Sequence, residues 1–206
     1  MPRPEILISI DVETDGPVPG LNSMIALGAA AFAQDGSEIG IWYATLHPLD
    51  EGSQDPATME WWTGQPDAWT EVTSNRRKPQ EAIPRFMRWC DQLRETCGAR
   101  LIAAAWPAAF DFPYVNYYCH RFVGRNPLGF ACLDIHSYAS GLAGHPGYYG
   151  LRKQQILDMA GDIDETGLRP HVAVDDAIQQ GRLLMALRRR VLEDDALETC
   201  DRRPCP

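Results

Sequence analysis

The sequence lacks any long uninterrupted apolar run, and this absence excludes a membrane-spanning helix, which needs about 20 consecutive apolar residues. The apolar stretch near the N-terminus, "ILISI", ends at Asp11. It is too short to be the apolar region of a secretory signal peptide. We therefore expect a cytoplasmic protein that does not bind a membrane.

Closely spaced cysteine pairs are also missing. The six cysteines form no CxxC motif and have no zinc-site spacing; they are Cys90, Cys97, Cys119, Cys132, Cys200 and Cys205. Pairs at such spacing are typical of zinc sites and redox motifs. We expect reduced and mostly buried thiols, as is usual for a cytoplasmic protein.

Positive charge is scarce, because 19 Lys and Arg residues face 28 Asp and Glu residues and leave a net charge of −9. This balance argues against a broad basic platform for nucleic acid. It does not exclude a small site that holds one end of a strand through metal ions. Clustered carboxylates that await cations would themselves make a protein acidic.

The order of strand and helix patterns predicts one α/β domain over residues 1–192, followed by a polar tail over 193–206. Strand patterns at 5–13, 24–32 and 38–47 come first and predict an antiparallel meander. Helical patterns and a fourth apolar strand, "ARLIAAAW", follow. Later come a short strand within "ACLDIHSYASGLAG" and helices over "LRKQQILDMAG" and "VAVDDAIQQGRLLMALRRRVL".

Acidic residues and a histidine occupy the ends of several predicted elements. Asp11 and Glu13 lie two residues apart at the end of the first strand, so their side chains share one face. Asp111 precedes a helix predicted to begin at Phe112, where an aspartate could simply be an N-cap. His171 precedes the last helix and could be a base, a ligand or an ordinary surface group. Each feature alone has such an ordinary explanation, including a polar strand end for the two residues of the first strand.

Together, the stretches "SIDVETDG", "AFDFPYV" and "HVAVDDA" have the order and spacing of a known set of motifs. They resemble the DEDDh group of the DnaQ-like exonuclease superfamily, which includes RNase T, oligoribonuclease and polymerase proofreading subunits. The resemblance extends over nearly the whole chain. It implies a ribonuclease-H-like fold, in which helices flank a five-stranded mixed sheet whose first three strands are antiparallel.

The same resemblance implies an activity and its residues. The enzyme would remove nucleotides from the 3′ end of single-stranded DNA or RNA with two divalent metal ions, Mg²⁺ or Mn²⁺. The metal-binding carboxylates would be Asp11, Glu13, Asp111 and Asp176, and His171 would be the general base. Hard oxygen donors suit these ions. A histidine accepts a proton only when it is neutral, so we expect activity to fall at acid pH.

The family pattern also chooses between the adjacent Asp175 and Asp176. Successive helical residues point about 100° apart, so a rigid helix cannot direct both carboxylates to one centre. In the family, four residues separate the histidine from the ligand, and counting from His171 gives Asp176. Asp175 is then expected to be a solvated acid that favours the N-terminus of the helix.

Substrate contacts are less distinctive in the sequence. The resemblance suggests that backbone near Thr14 meets the terminal nucleotide and that aromatic rings stack on its base. Trp61 and Trp62 are the candidates, and we expect one to be buried and the other to lie near the site. Four basic residues could contact phosphates or be ordinary solvated charges: Arg121, Arg125, Arg152 and Lys153.

Two other functions remain open at this point. One is a catalytically silent module of the same fold that binds nucleic acid or associates with a polymerase. The presence of all five candidate catalytic residues argues against it. The other is an oligoribonuclease-like enzyme that trims short oligonucleotides. RNase T and oligoribonuclease are dimers, so a homodimer is an option, and the sequence does not disclose a preference for DNA or RNA.

Overall fold

The computed structural model describes the backbone of residues 3–201 and the side chains of residues 3–192. In this part of the chain the strands are β1 (Glu5–Thr14), β2 (Met24–Phe32), β3 (Glu38–Thr45), β4 (Arg100–Ala105) and β5 (Cys132–Asp134). The helices are α1 (Pro56–Thr63), α2 (Pro66–Thr73), α3 (Pro79–Cys97), α4 (Ala108–Val123), α5 (Ile135–Leu142), α6 (Lys153–Ala160) and α7 (Ala173–Asp201), with a 3₁₀ turn at Tyr148–Gly150.

The strands form one mixed sheet in the order β3-β2-β1-β4-β5. Strands β1, β2 and β3 pair antiparallel, whereas β4 runs parallel to β1 and β5 runs parallel to β4. The predicted five-stranded sheet with an antiparallel first half is therefore confirmed. The carboxyl ends of β1, β4 and β5 meet at one edge, where α/β sheets place their functional sites.

Strand β1 lies at the centre of the sheet and is covered on both faces. Its side chains at positions 6, 8, 10 and 12 belong to the apolar core that includes residues of α3 and α4. On the other face, Leu7 packs in a second core with residues of α5, α6 and α7. Side chains alternate along a strand, so Asp11 and Glu13 share the α7 face with Leu7.

Two glycines bring α7 directly onto the sheet. A Cβ atom at Gly28 of β2 would lie 2.2 Å from the backbone carbonyl carbon of Ala173. A Cβ atom at Gly181 of α7 would lie 2.1 Å from a ring carbon of Phe32. Gly28 is also the partner of Asp11 in the β1–β2 register. The N-terminal turn of α7 can therefore approach the end of β1 closely.

The start of α4 differs from the sequence prediction. The helix begins at Ala108, after Pro107, so Asp111 lies within its first turn and is not the residue that precedes it. The carboxylate of Asp134 accepts hydrogen bonds from the N–H of Ala108, at 3.0 Å, and from that of Ser137, at 2.7 Å. Asp134 thereby caps both α4 and α5. The N-cap explanation of Asp111 is wrong, and its carboxyl group is available for another role.

Other expectations concern cysteines, membrane spans and the tail. Among the described residues, Cys90, Cys97, Cys119 and Cys132 are free thiols, and Cys97 is exposed. The side chain of Cys200 and the whole of Cys205 lie outside the described residues. Among the described helices, none combines the length and apolar composition that a bilayer crossing demands. The boundary between a domain and a tail at residue 192 stays a prediction.

Candidate active site

Three carboxyl groups converge at the carboxyl end of β1. Asp11 and Glu13 extend from β1, and Asp176 extends from the first turn of α7. One carboxylate oxygen from each lies within 4.8 Å of the others. Asp176 reaches Asp11 and Glu13 because Gly28 allows α7 to lie against β2 at this point.

Asp111 reaches the same edge from the opposite side of the sheet. It is 3% exposed, and its Oδ1 accepts a hydrogen bond from the N–H of Val12 at 3.2 Å. Val12 lies between Asp11 and Glu13 in β1, and the charge of Asp111 raises the pKa of both acids. Asp111 therefore stands beside the cluster of three.

The carboxyl groups destabilise one another's charged forms. Burial, followed by the charges of neighbouring carboxylates, raises the pKa of Asp11 well above its ordinary value and that of Glu13 to about 8. Burial also raises the pKa of Asp111 to about 7 and, despite the hydrogen bond from His171, that of Asp176. Of the four residues, Glu13 and Asp111 are buried and Asp11 and Asp176 are partly buried, so their carboxyl groups cannot all be ionised without compensating positive charge. This repulsion, together with a donor set composed of oxygen, fits hydrated Mg²⁺ or Mn²⁺.

Gln180 is a residue of this site that the sequence analysis missed. Its Nε2 donates a hydrogen bond to Asp11 Oδ1 at 2.8 Å. Its Oε1 is buried and has no hydrogen-bond partner among the residues that the structure describes, so it can accept a hydrogen bond from a water molecule. The signal was available, because a residue four positions after Asp176 lies on the same side of a helix.

The carboxylate of Asp176 holds the backbone of His171 in place. This backbone has a φ of 61°, a left-handed conformation that is uncommon for residues other than glycine. The His171 N–H donates to Asp176 Oδ2 at 2.8 Å. The side chain of His171 lines a cavity together with Asp11 and Asp176. The histidine and the carboxylates therefore open onto one space.

Asp175 points away from the cluster. Its Oδ2 accepts from the backbone N–H of Arg169 at 3.2 Å and from Arg169 Nε at 2.9 Å. Arg169 also pairs with Glu71 of α2 at 3.1 Å. The side chain of Asp175 is 13% exposed, so the expectation of a solvated acid is wrong. Asp175 instead ties the segment before His171 to α7.

The two adjacent tryptophans have different environments. Trp61 is 45% exposed, and its ring centroid lies 4.9 Å from that of His171 in an edge-to-face arrangement. Trp62 is 3% exposed, and its Nε1 donates to the carbonyl oxygen of Thr14 at 3.0 Å. The Thr14 hydroxyl donates to the carbonyl oxygen of Gly16 at 2.8 Å. Trp62 therefore fixes α1 against the end of β1, which places Trp61 beside the histidine.

Of the four basic candidates, Lys153 lines the cavity next to the carboxylates. Arg121 pairs with Glu51, and Arg125 pairs with Asp91. Arg152 is exposed at the start of α6, where its backbone N–H donates to the side chain of Gln155. The sequence alone could not show which of these residues lies near the carboxylates, because a single basic residue in a polar segment has no distinctive pattern.

A mixed sheet of this order with an acidic cluster at the end of β1 defines the class of ribonuclease-H-like nucleases. The chain belongs to the Rv2179c-like 3′-5′ exoribonuclease domain family, whose model matches residues 7–187. It is 30% identical over 179 residues to the 3′-5′ DNA exonuclease Cap18 of Escherichia coli, covering 87% of this chain and 89% of the relative. The chain is thus a 3′-5′ exonuclease.

Solved structures share the fold at low sequence identity. The nuclease domain of 3′hExo, a DEDDh family member bound to rAMP, superimposes with a TM-score of 0.65 at 14% identity, covering 93% of each chain. The Mg²⁺- and Mn²⁺-bound form of S. pombe Pop2p superimposes with a TM-score of 0.59 at 16% identity, covering 92% of this chain and 84% of that one. The DEDDh resemblance and the ribonuclease-H-like fold are confirmed.

Proposed function

We propose that this exonuclease hydrolyses the terminal phosphodiester of single-stranded DNA or RNA at a site for two divalent cations, Mg²⁺ or Mn²⁺. Asp11, Glu13, Asp111 and Asp176 would hold these cations. The observation that carries the proposal is the convergence of three carboxylates within 4.8 Å, beside a fourth. Across residues 3–192, none of the four forms an ion pair with a lysine or arginine.

The proposed chemistry divides between the cations and the side chains. When bound, two divalent cations lower the pKa of the attacking water and offset the charge on the departing 3′ oxygen. His171, as general base, accepts the proton of that water, and it can do so only in its neutral form. The hydrogen bond from its backbone to Asp176 supports this role, because it couples the position of the base to that of a carboxylate.

Trp61 is the proposed platform for the base of the terminal nucleotide. Its half-exposed ring beside His171 supports this role, because aromatic stacking tolerates any base. Backbone near Thr14 would contact the sugar of the same nucleotide. Trp62 contributes indirectly in this proposal, through its hydrogen bond to Thr14.

The nature of the sugar is left to experiment, because the two comparisons point in different directions. The family is described as exoribonucleases, whereas Cap18 is described as a DNA exonuclease. We therefore include both substrates in the test. A series of lengths separates a general exonuclease from an enzyme that trims short oligonucleotides, and sedimentation measures whether the active form is a homodimer.

The test uses 5′-labelled single-stranded DNA and RNA with Mn²⁺, Mg²⁺ or a chelator. The proposal predicts a ladder of products that shorten one nucleotide at a time with metal and no products with chelator. A terminal 3′-phosphate should slow the reaction, because the site is proposed to accept a free 3′ hydroxyl. Absence of hydrolysis with either metal, alongside retained binding of the strand, would favour a catalytically silent module.

A further inference from the structure

We propose that an aromatic surface in the cavity beside the carboxylates, to which Trp61 does not contribute, binds the nucleotide that precedes the scissile phosphate. We call this surface the tyrosine platform and define it as Tyr148 and Tyr149. Its ligand would be a single-stranded nucleic acid of at least two nucleotides, bound by stacking without base preference. This inference rests on the proposed function and adds a second substrate position to it.

The platform and the carboxylates share one cavity of about 440 Å³. Asp11, His171 and Asp176 line one part of it, and Tyr148 and Tyr149 line another. Cavities of about 300–1,000 Å³ hold small organic ligands, so this one has room for a nucleotide. A group bound on the platform would therefore lie directly beside the proposed hydrolytic centre.

The aromatic rings form a continuous series that ends in solvent. The ring centroids of Trp106 and His136 are 5.8 Å apart, and those of His136 and Tyr148 are 4.4 Å apart with planes inclined by 30°. Tyr149 follows Tyr148 at 5.2 Å in an edge-to-face arrangement. Tyr148 is 40% exposed and Tyr149 is 94% exposed. The series thus presents open aromatic surface at its outer end, where a base can stack.

His136 fixes the position of the platform. Its Nε2 lies 3.0 Å from the carbonyl oxygen of Leu151, which can only accept a hydrogen bond, so Nε2 carries the proton and donates. His136 is 6% exposed, and its Nδ1 lies 3.5 Å from the Ser140 hydroxyl on the same helix. The 3₁₀ turn at Tyr148–Gly150 is therefore anchored to α5, which reduces the entropy cost of binding a base there.

Trp61 and the tyrosine platform could bind the nucleotides on the two sides of a scissile phosphate. Trp61 contacts the ring of His171 but does not line the cavity that contains Tyr149. A phosphate held at the carboxylates would have its terminal nucleotide on the Trp61 side and its preceding nucleotide in the cavity. Lys153 also lines the cavity, with Nζ 5.9 Å from the Trp106 ring centroid, and supplies positive charge for the next phosphate.

The experiment compares a substrate that reaches the platform with one that does not. The first is an oligothymidylate, and the second is the p-nitrophenyl ester of thymidine 5′-monophosphate, which has a single nucleotide. Both are assayed with Mn²⁺ for the parent enzyme, Tyr149→Ala and Tyr149→Phe. We expect Tyr149→Ala to lower the ratio of kcat/KM for the oligonucleotide to kcat/KM for the ester by about fivefold or more. Tyr149→Phe keeps the ring and should retain the parental ratio.

A matched control comes from another exposed aromatic residue. Phe130 is 96% exposed and lines a separate groove at the other end of β5, so Phe130→Ala should leave the ratio unchanged. An unchanged ratio in Tyr149→Ala, with both substrates hydrolysed by the parent, would overturn the platform alone. Failure of the parent to hydrolyse both oligothymidylate and the corresponding oligouridylate would overturn the proposed function and the platform with it.

Discussion

Gln180 shows how a single amide can organise an acidic cluster. Its N–H group holds one oxygen of Asp11, and its carbonyl oxygen stays free of partners within the described part of the chain. Residues that orient metal ligands typically change activity 10- to 100-fold when they are replaced. Gln180 is therefore expected to position Asp11 without itself touching the reacting phosphate.

Gln180→Met should reduce kcat by about 10- to 100-fold, because methionine fills a similar volume but cannot donate to Asp11. Steady-state hydrolysis at saturating Mn²⁺ measures the effect. Gln154→Met is the matched control, since Gln154 is exposed on α6 and pairs with Asp158. Parental kcat in Gln180→Met would show that Asp11 keeps its position without the amide.

Individual site residues differed in how readily the sequence disclosed them. The carboxylates and His171 were predicted because their spacing resembles that of a known family, and the structure brings them to one edge of the sheet. Gln180 was missed because a glutamine on a helix is ordinarily solvated. The pairing of Asp175 with Arg169 was missed because Arg169 precedes the helix, so helical spacing does not relate the two residues. The pairing of Arg169 with Glu71 was missed because these residues are 98 positions apart in the chain. Contacts between side chains so far apart leave no periodic signal.

At the scale of elements, the site depends on how closely α7 approaches the sheet. Gly28 faces the backbone of Ala173, and any side chain there would overlap it. The first turn of α7 carries Asp176, which must come within 4.8 Å of the carboxylates of β1. Close packing between β2 and α7 is thus a requirement of the site as well as of the core.

Gly28→Ala should lower both thermal stability and hydrolysis, with a loss of activity that persists where the variant is fully folded. The added Cβ displaces the first turn of α7 and separates Asp176 from Asp11. Gly40→Ala is the control, because a Cβ there would make an ordinary contact, 3.5 Å from Trp89 Nε1. Circular dichroism and hydrolysis at one temperature test both variants. Full activity in folded Gly28→Ala would show that the approach of α7 is not limiting.

The elements themselves were largely predictable, and the exceptions have physical causes. Strands β1, β2 and β3 follow from β-branched or alanine-rich apolar runs separated by turn residues. The start of α4 was placed four residues late, at Phe112 instead of Ala108, because a cap provided by Asp134 is invisible in the local sequence. The tyrosine platform lies on a loop and a 3₁₀ turn, which have no helical or strand periodicity to detect.

At the scale of the whole molecule, the cluster links stability to pH. Folding raises the pKa of Glu13 from 4.5 to about 8 and that of Asp111 from 3.8 to about 7. At a pH between the unfolded and the folded pKa of each group, the folded protein binds more protons than the unfolded chain. Its stability therefore falls as the pH rises through this range. The proposed cations would bind the ionised carboxylates, so their stabilising effect should grow over the same range.

We therefore expect the metal-free protein to unfold at a lower temperature at about pH 8 than at about pH 5.5, and Mn²⁺ to raise that temperature more at the higher pH. Carboxylates whose pKa is lowered, such as Asp55, affect stability only below about pH 4 and do not contribute in this range. Thermal unfolding with chelator and with Mn²⁺ at both pH values provides the test. Greater stability of the metal-free protein at about pH 8 would contradict this linkage.

The adjacent aspartates of α7 offer the most direct test of the central claim, that the carboxylates gathered at the end of β1 are the hydrolytic site. Asp176 belongs to that cluster, whereas Asp175 pairs with the 56% exposed Arg169. An ion pair to so exposed a partner contributes about 0–1 kcal/mol, and asparagine retains one acceptor oxygen.

The measurement is the rate of shortening of a 5′-labelled single strand in saturating Mn²⁺, with Asp175→Asn and Asp176→Asn assayed side by side. Asp175→Asn should keep most of the parental rate. Asp176→Asn should lose about 100-fold or more, because it removes a charge from the proposed metal site, and it should bind Mn²⁺ more weakly. The reverse pattern, or equal rates in the two variants, would contradict the assignment of the site.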